Sequence, residues 1–160
     1  MSSLYMIVVL LCAVFTVSQA CLCARPDPQD AFCRSSFVLR ARVLSGPRND
    51  VTTSDDQLLD FVDQVYSLKV IEIFKGKENV TQVKGTHFFG VRNPSLMADI
   101  FTPSKMFSCY VHLERGVEYI LAGYIYDNKL RMHLCHWHEP WANVTPLQRK
   151  GLKGQFNVAC

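Results

Sequence analysis

Cys21, Leu22 and Cys23 follow directly on Ser18-Gln19-Ala20, a small-residue pattern at which secretory leaders are cut. Cleavage there would leave a cysteine at the amino terminus with a free α-amine. That amine and the carbonyl of the same residue form a five-membered chelate around a metal ion, and a disulfide at Cys21 would hold both donors rigid. The metal need not belong to this chain.

Other residues invite chemical readings and yield weaker ones. His133, Cys135, His136 and His138 form a dense cluster of metal-ligand types. Strand alternation would put His136 and His138 on one face and Cys135 on the other, and Cys135 is needed for a disulfide. The expectation is therefore of partly exposed histidines near Trp137, with no resident metal or cofactor. A cysteine nucleophile is also disfavoured, because an even number of cysteines remains after cleavage, and the chain does not read as an enzyme. Asn79-Val80-Thr81 and Asn143-Val144-Thr145 are glycosylation acceptor patterns, the second followed by an unfavourable Pro146. Trp137 and Trp141 read as packing residues, and Arg149-Lys150-Gly151-Leu152-Lys153 as a solvated basic face.

Composition sets the compartment. Leu4 to Val17 is almost continuously apolar and no charge precedes Arg25. That run falls short of the roughly 20 apolar residues of a membrane span, so 1–20 is expected to be a signal peptide and the protein to be secreted without a membrane span. Of 160 residues, 160 − 20 = 140 remain for a single domain at 21–160. Of the seven cysteines, Cys12 goes with the leader. Cys21, Cys23, Cys33, Cys109, Cys135 and Cys160 suit three extracellular disulfides, each contributing roughly 2–4 kcal/mol, with 15 pairings open. A net charge of +3 without a basic block argues against nucleic acid as partner.

The elements that must carry these residues are mostly strands. Phe37 to Leu44 alternates, with Arg40 and Arg42 opposite Leu39, Ala41 and Val43. Ser45 to Asp60 reads as a long polar loop, and Val62 to Phe74 as a second strand closed by Lys75-Gly76-Lys77. Val80 to Phe89 is a further strand candidate, whereas Arg92 to Ser108, punctuated by Pro94 and Pro103, reads as irregular. Glu118 to Tyr126 and Leu130 to Cys135 form a hairpin about Asp127-Asn128-Lys129. Thr145 would cap a helix through Phe156 with Pro146 at its first position. About five strands with helices suggest a mainly β, five-stranded barrel of the OB type.

Cys21-x-Cys23, Pro28-Gln29-Asp30-Ala31-Phe32-Cys33, Val38-Leu39-Arg40-Ala41-Arg42-Val43, Ile73-Phe74-Lys75-Gly76, Tyr119-Ile120-Leu121-Ala122-Gly123 and Leu134-Cys135 followed by Pro140-Trp141 together resemble the tissue inhibitors of metalloproteinases. The resemblance implies an OB-like, netrin-type inhibitory domain, with Cys21 bridged to Cys109, Cys23 to Cys135 and Cys33 to Cys160. It implies that the Cys21 amine and carbonyl occupy the open position on the catalytic zinc of a target enzyme. Cys21, Leu22, Cys23 and Ala24 would lie in the substrate cleft, Leu22 in the specificity pocket, with Phe107 and Ser108 beside them. Partners would be zinc metalloproteinases, of the matrix type and its disintegrin-type relatives, bound one to one by a monomer. Leu22 where Thr or Ser is usual, Arg25 where Pro is usual and Asp27 where His is usual bear on target range. The alternative is a netrin-like extracellular binding or immune-modulating module without inhibitory activity, which would tolerate residues added before Cys21.

Overall fold

The computed structural model describes residues 21, 23–50 and 62–160. The expected signal peptide, Leu22 and the 51–60 part of the expected loop lie outside the described residues. Strands dominate, with short helices at α1 (Pro28–Arg34), α2 (Lys77–Gln82), α3 (Pro146–Lys150) and α4 (Phe156–Ala159). The strands are β1 (Phe37–Asn49), β2 (Gln64–Lys75), β3 (His87–Phe89), β4 (Ser95–Thr102), β5 (Glu118–Tyr126), β6 (Lys129–Arg131) and β7 (His138–Pro140).

Pairing runs β1-β2-β4-β6-β5 and returns to β1, so five strands close into a ring. All these contacts are antiparallel except β4 with β6. β3 is added outside β4, and β7 outside β5. Alternation in β1 turns Leu39, Ala41 and Val43 inward, where they meet Tyr66, Leu68, Ile100, Leu121 and Leu130. A second apolar cluster covers the outside of β1 and β5: Val38, Ile120 and Ala122 pack there with Phe32, Trp137 and Leu152. The Cys33–Cys160 disulfide ties α1 to the end of α4 beside it. On the outer face Glu118 accepts hydrogen bonds from Arg40 and Arg42, which hold its carboxyl below the usual carboxylate range.

Five sequence expectations need correction. The loop expected from Ser45 begins later, because β1 continues to Asn49 and pairs Arg48 with Val65 and Asn49 with Gln64. Val80 to Phe89 is mostly not strand: Gly76, at φ 75, turns the chain into α2, and only His87–Phe89 is extended. Any Cβ at Gly76 would stand 2.3 Å from the Ser36 carbonyl oxygen, so glycine is required there. The stretch from Arg92 to Ser108 contains β4, since Pro94 and Pro103 bracket that strand without interrupting it. Next, β6 stops at Arg131, so His133 to His136 form turns and strand alternation does not govern their faces. The hairpin at Asp127-Asn128 is present, both residues having positive φ as its two-residue turn demands. Thr145 caps α3 with a full capping box, but the helix breaks at Gly154, φ 147.

Candidate functional site

The Cys21 segment is held by neighbours that are remote in sequence. Cys21 is bridged to Cys109 and Cys23 to Cys135, with Cα separations of 5.2 and 5.1 Å, ordinary for disulfides. The Cys21 N–H donates to Ser108 Oγ at 2.9 Å. Leu134 N–H donates to the Cys109 carbonyl at 2.9 Å, so the two segments that receive the bridges are themselves joined.

Those segments are fixed to the core. Phe107 N–H donates to Ser104 O, and Tyr110 N–H to Phe107 O, giving the chain before and after Cys109 a tight double turn. The Tyr110 hydroxyl meets that of Tyr66 at 2.6 Å, and Tyr66 also donates to Val111 O. Tyr66 is fully buried inside the ring; burial above all, and then the Tyr110 contact, push its phenol above the ordinary tyrosine range. The anchor beneath the site is thus a hydrogen-bonded pair of tyrosine hydroxyls.

The segments that carry Cys109 and Cys135 expose large apolar side chains. Met106 is 68% exposed, Phe107 44% and Leu134 36%. Sequence resemblance puts a contact at Phe107 and none at Met106 or Leu134. Their signal was adjacency to Cys109 and Cys135, two cysteines that tertiary structure brings to Cys21. Ala24 and Arg25 continue the segment over a groove whose far wall is His136, Trp137, His138 and Glu139. Asp27 caps α1, accepting from Gln29 and Asp30 amides at 3.0 and 3.1 Å.

The sulfurs of Cys21, Cys23 and Cys135 lie within 4.8 Å of one another, the one metal-like grouping among the described residues. Each is half of a disulfide, so none offers a thiolate. The histidines are committed as well. His133 N–H donates to His136 Nδ1 at 3.1 Å and Cys135 N–H to His133 Nδ1 at 3.2 Å, which places the ring protons of both on Nε2. This arrangement resists protonation. Burial and then the adjacent His133 lower His136 to about 4, and burial lowers His133 too.

A stability consequence follows for the turn that carries Cys135. Between the ordinary histidine value near 6.5 and about 4, the unfolded chain binds a proton at His136 that the folded chain refuses, so stability falls as pH is lowered through that window. His136 is only half-buried and solvent screens it, so the loss expected from pH 6.5 to 4.5 is about 1–2 kcal/mol. His136→Asn, whose amide oxygen can replace Nδ1 as acceptor, should flatten the slope of melting temperature against pH over that range. An unchanged slope would exclude this histidine as its source.

Of the acceptor patterns, Asn79 is exposed on α2, with Thr81 Oγ1 donating to Lys77 and Glu78 carbonyls. Asn143 is exposed on the rim of the groove that Cys21 and Cys23 line, and Thr145 Oγ1 is occupied in the α3 cap. Trp137 is buried, and Trp141 stacks on Phe74 with Arg40 and Arg149 over its ring. Among the described residues no helix is long and apolar enough to cross a membrane.

Comparison with known proteins places this arrangement in a family. The family model described as tissue inhibitor of metalloproteinase matches residues 19–160. Metalloproteinase inhibitor 3 of Gallus gallus is 29% identical over 151 residues, 90% of this chain and 58% of that protein. Metalloproteinase inhibitor 4 of Mus musculus is 30% identical over 148 residues, 89% of this chain and 58% of its own length. Metalloproteinase inhibitor 3 of Xenopus laevis is 29% identical over 150 residues, with 89% and 58% covered. The chain therefore spans a little over half the length of these curated relatives. With its family match running from residue 19 to residue 160 across the closed ring and the three disulfides, the chain belongs to the tissue inhibitor of metalloproteinase family.

Proposed function

We propose that the chain, processed after Ala20 and secreted, is a metalloproteinase inhibitor that acts through its amino-terminal cysteine and is not itself an enzyme. The observation that carries this reading is the double tether of Cys21, by disulfide to Cys109 and by its nitrogen to Ser108 Oγ at 2.9 Å. A zinc protease keeps one coordination position open for the water that attacks the peptide bond. The Cys21 amine and carbonyl take that position together and exclude the water. Ser108 accepts a proton of the amine, which orients the nitrogen and leaves its lone pair for the metal. Cys23 and Ala24 extend the segment along the cleft, and Met106, Phe107 and Leu134 supply apolar contact on either side. The zinc is the target's, the complex is one to one, and the targets are zinc metalloproteinases of the matrix type and its disintegrin-type relatives. Mass spectrometry of the secreted amino terminus, followed by inhibition assays of native and blocked protein, tests the reading.

Leu22 enters the pocket beyond the scissile bond in this arrangement. Its apolar area is worth about 1.5–3 kcal/mol when fully buried, so deep hydrophobic pockets should be preferred over shallow ones. Leu22→Thr is expected to narrow that preference by about tenfold, read as the ratio of inhibition constants for one enzyme of each kind. An identical ratio for both proteins would remove Leu22 from the selectivity account.

A further inference from the structure

We propose that an ion pair between Arg25 and Glu139 is a positioning latch for the Cys21–Ala24 segment, a reading that rests on the inhibitory function above and names a residue that tunes it. Arg25 follows Ala24 directly and its side chain is 77% exposed, yet the guanidinium reaches a carboxylate whose side chain is only 8% exposed. The other oxygen of that carboxylate accepts the indole N–H of Trp137 at 3.0 Å. Trp137 belongs to the apolar cluster packed on the outside of β1 and β5, and Glu139 sits on β7, paired with Ile120 of β5. A continuous path therefore runs from the sheet through Trp137 and Glu139 to Arg25 and so to the exposed segment.

The two disulfides do not make this contact redundant. They hold Cys21 and Cys23, and Ser108 holds the Cys21 nitrogen, whereas Ala24 beyond them has neither a bridge nor a side chain that can bond. Arg25 fixes the backbone on the far side of Ala24, so the segment is held at both ends. The buried carboxylate in turn demands a cation, because an ionised group taken from water without a partner is strongly disfavoured. That demand draws Arg25 inward and gives the latch direction. A segment ordered before binding forfeits less freedom on association, so loosening it costs affinity without removing any contact to the target.

Arg25→Gln, Arg25→Lys, Glu139→Gln and the Arg25→Gln/Glu139→Gln pair, made in the full secreted chain, test this. Backbone amide NMR order parameters at Cys23 and Ala24, which need no target enzyme, should fall from rigid values to below about 0.6 in Arg25→Gln and recover in Arg25→Lys, with β1 and β5 unchanged. Inhibition constants should rise about tenfold in Arg25→Gln, and the double variant should be no weaker than the worse single one. Wild-type order parameters at Cys23 and Ala24 in Arg25→Gln overturn the latch, and so does a fall spread evenly over the sheet, which marks a role in global stability alone. A local fall in order with an unchanged inhibition constant overturns its role in affinity. Local loosening in a protein whose wild type inhibits no metalloproteinase supports the latch and sinks the inhibitory reading, so the two failures are separable.

Discussion

A single alanine added before Cys21, or acetylation of its α-amine, should raise the inhibition constant at least about a hundredfold, since even an outer-shell partner of a metal ligand is worth about 10–100-fold in metal affinity. Both changes turn the amine into an amide, whose nitrogen lone pair is delocalised into the carbonyl and does not bind zinc. Neither touches the core, so melting temperature should be unchanged. The native form carries a second signature. A free α-amine has an ordinary pKa of about 7.7–8.0, and only its neutral form donates to a metal, so binding releases a proton and weakens as pH falls below that range. The weakening approaches about tenfold per pH unit and should be absent from whatever residual binding the blocked forms retain. An extended protein that inhibits as well as the native one would discard chelation and favour a binding module that tolerates residues before Cys21.

The largest stability effect is expected at Gly123, where a methyl group has nowhere to go. A Cβ there would stand 2.2 Å from the Arg131 carbonyl oxygen of β6 and 2.8 Å from Phe37 Cζ of β1. Gly123 pairs with Phe37 across β1 and β5, its carbonyl accepts from Ser36 N–H at 2.8 Å, and its neighbour Tyr124 pairs with Arg131. It thus occupies the seam where β5 is joined to both neighbours in the ring. Overpacking a core costs about 1–3 kcal/mol, and a backbone oxygen held in a ladder yields less readily than a side chain, so Gly123→Ala should cost about 3 kcal/mol. For a domain of this size that lowers the melting temperature by about 10 °C. Circular dichroism melts measure it directly, and a fall of under about 2 °C would mean that the seam opens cheaply.

Much of the scaffold was legible in the chain. β1 announced itself through strict alternation at Leu39, Ala41 and Val43, and the start of α3 through the Thr145 cap followed by Pro146. These signals are local, so they survive in a single sequence. The misreadings share a cause: local composition was ambiguous and a distant partner decided. Pro94 and Pro103 look like interruptions until β2 and β6 claim the residues between them as β4. Val80 is compatible with strand or helix, and the left-handed turn forced at Gly76 by the Ser36 carbonyl selects the helix. The histidine turn escaped for the same reason, since β6 is cut short where its parallel register with β4 ends at Phe101 and Arg131.

For the site, the division is equally physical. The residue pattern alone was enough to suggest the proposed metal donor at Cys21, because chelation by amine and carbonyl is a property of one residue's covalent chemistry and of where cleavage would fall. Even the parity of the cysteines needed only counting. What holds Cys21 could not be counted. Bridges spanning 88 and 112 residues, the Ser108 hydroxyl against the Cys21 nitrogen and the Arg25–Glu139 contact across 114 positions exist only because ring closure brings those segments together. Side-chain identity sets which contacts are chemically possible, and the closed sheet decides which of them are within reach.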